Sequence, residues 1–92
     1  MSWRITLVSE EKIEEKDVTD IFKRIPLSLQ LKYYQLDKAH GLRWTISTDI
    51  INPSFNYLVI SGRDLEIVEN TAHLKKFVKE QLENIGYHIS YN

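Results

Sequence analysis

The stretch SEEKIEEKDVTD, residues 9–20, concentrates the chemically active side chains of this sequence. It holds six acids, Glu10, Glu11, Glu14, Glu15, Asp17 and Asp20, against two bases, Lys12 and Lys16. Carboxylates at this density form a surface that steers a basic partner and sets its orientation. Spaced along a surface they also mimic a row of nucleic-acid phosphates, and so suit a protein that occupies a nucleic-acid-binding site. The bland alternative is a solvated loop whose acids gain ~0.3–1 kcal/mol from the positive end of the helix that follows.

Other chemistry finds less support. The three histidines, His40, His73 and His88, fall in an expected loop, a first helical turn and an expected strand. Metal centres draw their ligands at short, fixed spacings, and no histidine pair here has one, so no metal site is expected. Serines Ser47, Ser54, Ser61 and Ser90 lack the strand-turn-helix setting of a nucleophile. The glycines are scattered, and Ser61-Gly62-Arg63-Asp64 is too short to cradle a phosphate. No catalytic or cofactor-binding residue is assigned, no cofactor is expected, and the expectation is a protein that is not an enzyme.

Composition narrows the class. The chain has 92 residues, 42% hydrophobic and 27% charged, as expected of one globular domain spanning residues 1–92. It contains no cysteine, which excludes disulfides, thiolate zinc sites and cysteine nucleophiles. Small secreted domains often carry disulfides, and no signal peptide or membrane-length apolar run is visible, so a cytoplasmic setting without membrane contact is expected. The formal net charge of −1 predicts no global attraction to nucleic acid or anionic lipid. That value conceals a segregation: residues 1–22 are net −3, residues 23–48 net +4 and residues 49–92 net −2. Adjoining segments of opposite sign also suit self-assembly into a homo-oligomer.

The elements that must position these charges follow from periodicity. Trp3, Ile5 and Leu7 alternate with Arg4, Thr6 and Val8, which predicts a strand. Val18, Ile21, Phe22 and Ile25 lie at helical spacing, with Asp17 as the expected N-cap and Pro26 as the stop. Residues 27–38 and 42–48 alternate again and predict a hairpin with one dry and one wet face. Asn52-Pro53-Ser54 predicts a turn, and residues 55–62 a central strand covered, at least in part, on both faces. Residues 65–69 suit a short edge strand. A second helix follows, capped by Asn70 or Thr71, with Leu74, Phe77, Val78, Leu82 and Ile85 as its apolar stripe and Gly86 just past its end. Residues 87–92 close the chain as a strand. The aromatics Trp3, Phe22, Trp44, Phe55 and Phe77 are expected in the core.

The predicted order is β-α-β-β-β-(β)-α-β, an α+β two-layer sandwich with two helices on one face of a mixed or antiparallel sheet. The pattern loosely resembles a ferredoxin-like sandwich, a likeness that implies no function. With both helices on one side, the other face gathers Arg4, Lys32, Tyr34, Arg43 and His88. Such a face can hold single-stranded nucleic acid, with aromatics stacking on bases and cations on phosphates. This is the alternative to the acidic surface.

Helical geometry constrains the acidic segment. At about 100° per residue, the apolar stripe of the first helix and the positions of Glu10, Glu11, Glu14 and Glu15 centre on the same direction. One continuous helix would therefore extend the core stripe with carboxylates, and burying them unpaired is prohibitive. Either the helix begins near Asp17 after a separate turn, or it overhangs the sheet and projects a carboxylate cluster into solvent. Ile13 suits a pin that holds a short turn to the body. The expected function is a small non-catalytic protein-binding module of inhibitor, immunity or adaptor type.

Overall fold

The computed structural model describes residues 3–25, 43–62 and 68–91. Its elements are β1 (Trp3–Ser9), α1 (Glu15–Lys23), β2 (Arg43–Thr48), β3 (Asn56–Gly62), α2 (Val68–Asn84) and β4 (Ile89–Tyr91). The strands form one sheet in the order β2-β3-β1-β4, and every neighbouring pair is antiparallel. This is the α+β arrangement expected from the alternation. The order among the described residues is β-α-β-β-α-β. The hairpin strand expected over residues 27–38, and with it Lys32 and Tyr34, lies outside the described residues.

Period-two alternation sorts the sheet into faces. Register pairs Ile5 with Ile60, Leu7 with Leu58 and Ser9 with Asn56, and all six are buried. Trp44 and Ile46 join that face from β2, opposite Ile60 and Leu58. Val18 and Ile21 of α1, Ile25 just beyond it, and Leu74, Val78 and Leu82 of α2 complete the same core cluster. Both helices therefore cover one side of the sheet. Phe22 of α1 meets Trp44 of β2 with ring centroids 6.1 Å apart and planes tilted by 54°, within the favoured range for aromatic pairs.

Several local expectations change. Asp17 is not the N-cap: α1 begins two residues earlier, after an extended Glu14, whose side chain makes no capping bond. The Asp17 carboxylate instead accepts a hydrogen bond from the Tyr87 hydroxyl at 2.6 Å. Asn70 and Thr71 lie inside α2, which already starts at Val68, so residues 68–69 are helical rather than strand.

Ile85 leaves the apolar stripe and is half-exposed. Gly86, at φ 108°, turns the chain there; its N–H bonds to Glu83 O at 3.0 Å and that of Tyr87 to Leu82 O at 3.1 Å. This pair of bonds is the Schellman helix end, and it brings Tyr87 rather than Ile85 against the core. Of the aromatics expected in the core, Trp3, Phe22, Trp44 and Phe77 pack against it half-buried, while Phe55 lies before β3, half-buried. β3 is buried on its helix side only; Tyr57 and Val59 on the opposite face are half-exposed. Among the described residues, no helix is long and apolar enough to cross a membrane.

Candidate functional site: the anchored acidic turn

Between β1 and α1 the chain makes a non-helical turn over residues 10–14. Of the two arrangements open to the acidic segment, this is the separate turn before the helix. Ile13 is the pin: its side chain is 3% exposed within the core cluster. Its N–H donates to Asn56 Oδ1 at 2.9 Å, across 43 residues of sequence. Asn56 is itself buried, and its Nδ2 donates to Phe55 O at 3.2 Å and Thr48 Oγ1 at 3.4 Å. An amide suits this position because it accepts on one side and donates on the other.

Two of the six acids are consumed in holding the turn. Glu11 reaches the segment before β4, where His88 N donates to its Oε2 at 2.9 Å and the His88 ring Nδ1 lies against Oε1. Behind it, buried Ser9 donates from Oγ to Glu11 Oε2 and accepts the Glu11 N–H, each at 3.1 Å. The backbone bond from His88, then its ring, hold the Glu11 carboxyl below its usual pKa; the Glu11 contact raises that of His88. The order Ser–Glu–His is not that of a hydrolytic triad, in which the imidazole stands between hydroxyl and carboxylate. Here the carboxylate stands between, and the Ser9 hydroxyl has no imidazole beside it.

Asp17 is the second consumed acid. Tyr87 OH donates to Asp17 and accepts the Glu14 N–H at 3.1 Å, bridging the start of α1 to the end of α2. Burial, then the bond to Asp17, push the Tyr87 pKa up. The remaining four acids, Glu10, Glu14, Glu15 and Asp20, are exposed. Lys12 and Lys16 are exposed as well. The recognition surface expected from sequence therefore divides into two structural acids and four displayed ones.

The structure also gathers residues that sequence spacing left apart. Glu10, Glu11 and His88 each offer a ligand atom within 4.8 Å of the others. They lie beside an open depression of about 390 Å³ lined by Glu10, Glu83, Gly86, Tyr87, His88, Ile89 and Ser90. Antiparallel pairing of β1 with β4 creates this meeting, continued by the Glu10 N–H bonding to His88 O at 3.1 Å. A histidine-spacing search cannot find it, because Glu11 and His88 are 77 positions apart.

On the sheet face opposite the helices, Arg4 and Arg43 both pair with Ser61, one from each side, and both are exposed. The two arginines expected on one wet face thus share one cross-strand row. A further surface was not legible in the sequence. Ile50 and Ile51, at the β2–β3 hairpin tip, are 95% and 94% exposed. Asp49 orders that tip: its Oδ1 accepts the N–H of Ile51 at 2.8 Å and of Asn52 at 3.3 Å, and its Oδ2 the Tyr57 hydroxyl at 2.6 Å.

Comparison with protein-family models, curated proteins and solved structures finds no match for this chain.

Proposed function

We propose that the chain is a small non-catalytic protein-binding module of inhibitor, immunity or adaptor type, acting inside the cell on a basic protein partner. Its contact surface is the displayed set Glu10, Glu14, Glu15 and Asp20, with Glu11 and Asp17 shaping it from beneath. One observation carries this reading: four residues distant in sequence or buried, Ile13, Asn56, Tyr87 and His88, fix the acidic turn to the body through backbone and side-chain bonds. A solvated charged loop needs no such anchoring. A preordered surface loses less conformational freedom on binding and keeps more of its interaction energy. Its charge raises the encounter rate and fixes orientation. Where the partner binds nucleic acid, the displayed carboxylates take the place of phosphates.

The test is charge reversal at the four displayed positions, Glu10→Lys, Glu14→Lys, Glu15→Lys and Asp20→Lys, leaving Glu11 and Asp17 intact. The expected result is loss of a salt-sensitive protein partner with the fold retained. Unchanged partner binding by a folded variant removes the reading. The alternative is nucleic-acid binding on the open sheet face, favoured by the Arg4–Ser61–Arg43 row. Direct binding to RNA or single-stranded DNA would weaken steeply with salt. No binding at low salt eliminates it.

A further inference from the structure

The meeting of Glu10, Glu11 and His88 combines one imidazole with two carboxylates. Mixed nitrogen and oxygen donors suit zinc and its late first-row neighbours, whereas magnesium and calcium take oxygen alone. A tetrahedral ion with bonds of ~2.1 Å holds its donors about 3.4 Å apart. The three donors here lie within 4.8 Å of one another, so Glu10 closes on an ion by at most about 1.4 Å against that geometry, while the Glu11 and His88 donors, already in contact, open to admit it. The Glu10 side chain is exposed and forms no hydrogen bond or ion pair with a described residue, so it can swing inward. The backbones cannot drift apart, because Glu10 N–H and His88 O are bonded to each other.

Further features favour a cation at this point. Glu83 lines the same depression, adding a third carboxylate to the field around His88, although it also pairs with Lys79 at 3.8 Å. The depression opens to solvent beside Glu10, which leaves room for water to complete the coordination shell. The Ser9 hydroxyl and the His88 N–H orient Glu11 from the protein side, as outer-shell partners orient metal-bound carboxylates.

We propose that Glu10, Glu11 and His88 form a zinc-class divalent metal site that joins the acidic turn to the β4 end of the sheet. Binding requires the neutral imidazole with its ligating nitrogen unprotonated, so metal binding competes with protonation of the ring and any proton displaced goes to solvent. This inference does not depend on the protein-partner reading: it is tested on the isolated chain, and either can fail without the other.

Zinc is titrated into the full chain at pH 7 in a non-chelating buffer, with magnesium in a parallel series, while the histidine ring resonances are followed by NMR. Saturable shifts of the His88 ring with zinc and none with magnesium are expected. Glu10→Gln alters an exposed, unbonded side chain, so the fold is retained, and it weakens zinc binding by at least about tenfold, or ~1.4 kcal/mol. His88→Gln removes the saturable site, and its fold is checked from the backbone amide spectrum. Lowering the pH to 5.5 weakens the wild type, because protons then compete for the ring. His73→Ala and His40→Ala bind as the wild type does. The proposal is overturned by an unshifted His88 ring at about 1 mM zinc, which corresponds to a binding free energy weaker than about −4 kcal/mol. It is also overturned by equal affinity in Glu10→Gln, or by binding that follows His73 or His40 instead.

Discussion

Replacing Asn56 with alanine tests whether the acidic turn is truly fixed. The Asn56 side chain supplies the Oδ1 that receives the Ile13 N–H at 2.9 Å, in a setting where Asn56 is 4% and Ile13 3% exposed. Truncation leaves that N–H buried without a partner, at a cost of about 1–3 kcal/mol. The other two bonds add little. Phe55 O keeps the Asp49 N–H at 3.0 Å, and Thr48 is exposed to water. For a domain of this length each kcal/mol lowers Tm by roughly 4–8 °C, so a fall of about 5–20 °C is expected. The fold survives, since total stabilities run to ~5–15 kcal/mol. A thermal melt followed by circular dichroism gives the stability. Amide hydrogen exchange gives the location: the Ile13 N–H should lose protection far more than the Leu7 N–H in the sheet centre. Thr48→Ala, which removes only the 3.4 Å contact at an exposed residue, should change stability by less than about 0.5 kcal/mol. If the Ile13 amide keeps its protection in Asn56→Ala, the turn is held by something else and the argument for a preordered acidic display fails.

The Glu11–His88 contact predicts a pH window. His88 is raised from 6.5, so its contribution is complete below 6.5 and fades as pH rises through the folded value; Glu11 is lowered from 4.5, so its contribution is present above 4.5 and is lost as pH falls. Protection of the His88 and Glu10 amides should peak between those limits, and Glu11→Gln should move the His88 titration midpoint back toward 6.5; an unmoved midpoint rejects the contact. At Gly62 a Cβ would meet the Trp3 indole at 2.7–2.9 Å. Gly62→Ala should therefore displace the ring, at about 1–3 kcal/mol, and red-shift Trp3 emission in a Trp44→Phe background; unchanged emission refutes the packing. Replacing Ile50 and Ile51 together with serine should leave stability within about 0.5 kcal/mol, and a larger loss in the melt means that these side chains are not free at the hairpin tip. Tyr87→Phe and Asp17→Ala should show a coupling of about 0.5–1.5 kcal/mol in a double-mutant cycle, and additive effects would deny their bond.

Periodicity carried most of the architecture because burial is local in its demands. Ile5 and Leu7, Leu58 and Ile60, and Leu74, Val78 and Leu82 each mark a buried face through spacing alone. Helical geometry set Glu10, Glu11, Glu14 and Glu15 apart from the helix, since carboxylates cannot continue a core stripe; the first three do precede α1, but Glu15 is its first residue and stays exposed. The start of α1 was missed because Asp17 looks like a cap until Tyr87, 70 positions away, is known to bind it. Ile85 failed for a related reason: five apolar residues at helical spacing read as one stripe, but the left-handed Gly86 ends the helix before the last can join. The division of the six acids into structural and displayed was illegible in the sequence. It depends on which residues β4 delivers beside β1, and strand pairing at that distance leaves no local signal.

The acidic turn is therefore only as ordered as the end of the sheet that holds it. β1 pairs with β3 through seven residues, but with β4 through three. Short, edge-placed pairing is drawn from the low end of the range of local stabilities. Both consumed acids rely on that region: Glu11 on His88, one residue before β4, and Asp17 on Tyr87, one residue earlier. Separation of β4 from β1 loosens the His88 contact, leaving Ile13, Asn56 and Tyr87, which the end of α2 holds against the core, as the remaining anchors. On the proposed reading, a partner that needs the fixed arrangement of Glu10, Glu14 and Glu15 would also select the paired state of the strand. Binding and β4 pairing must then stabilise each other by the same free energy.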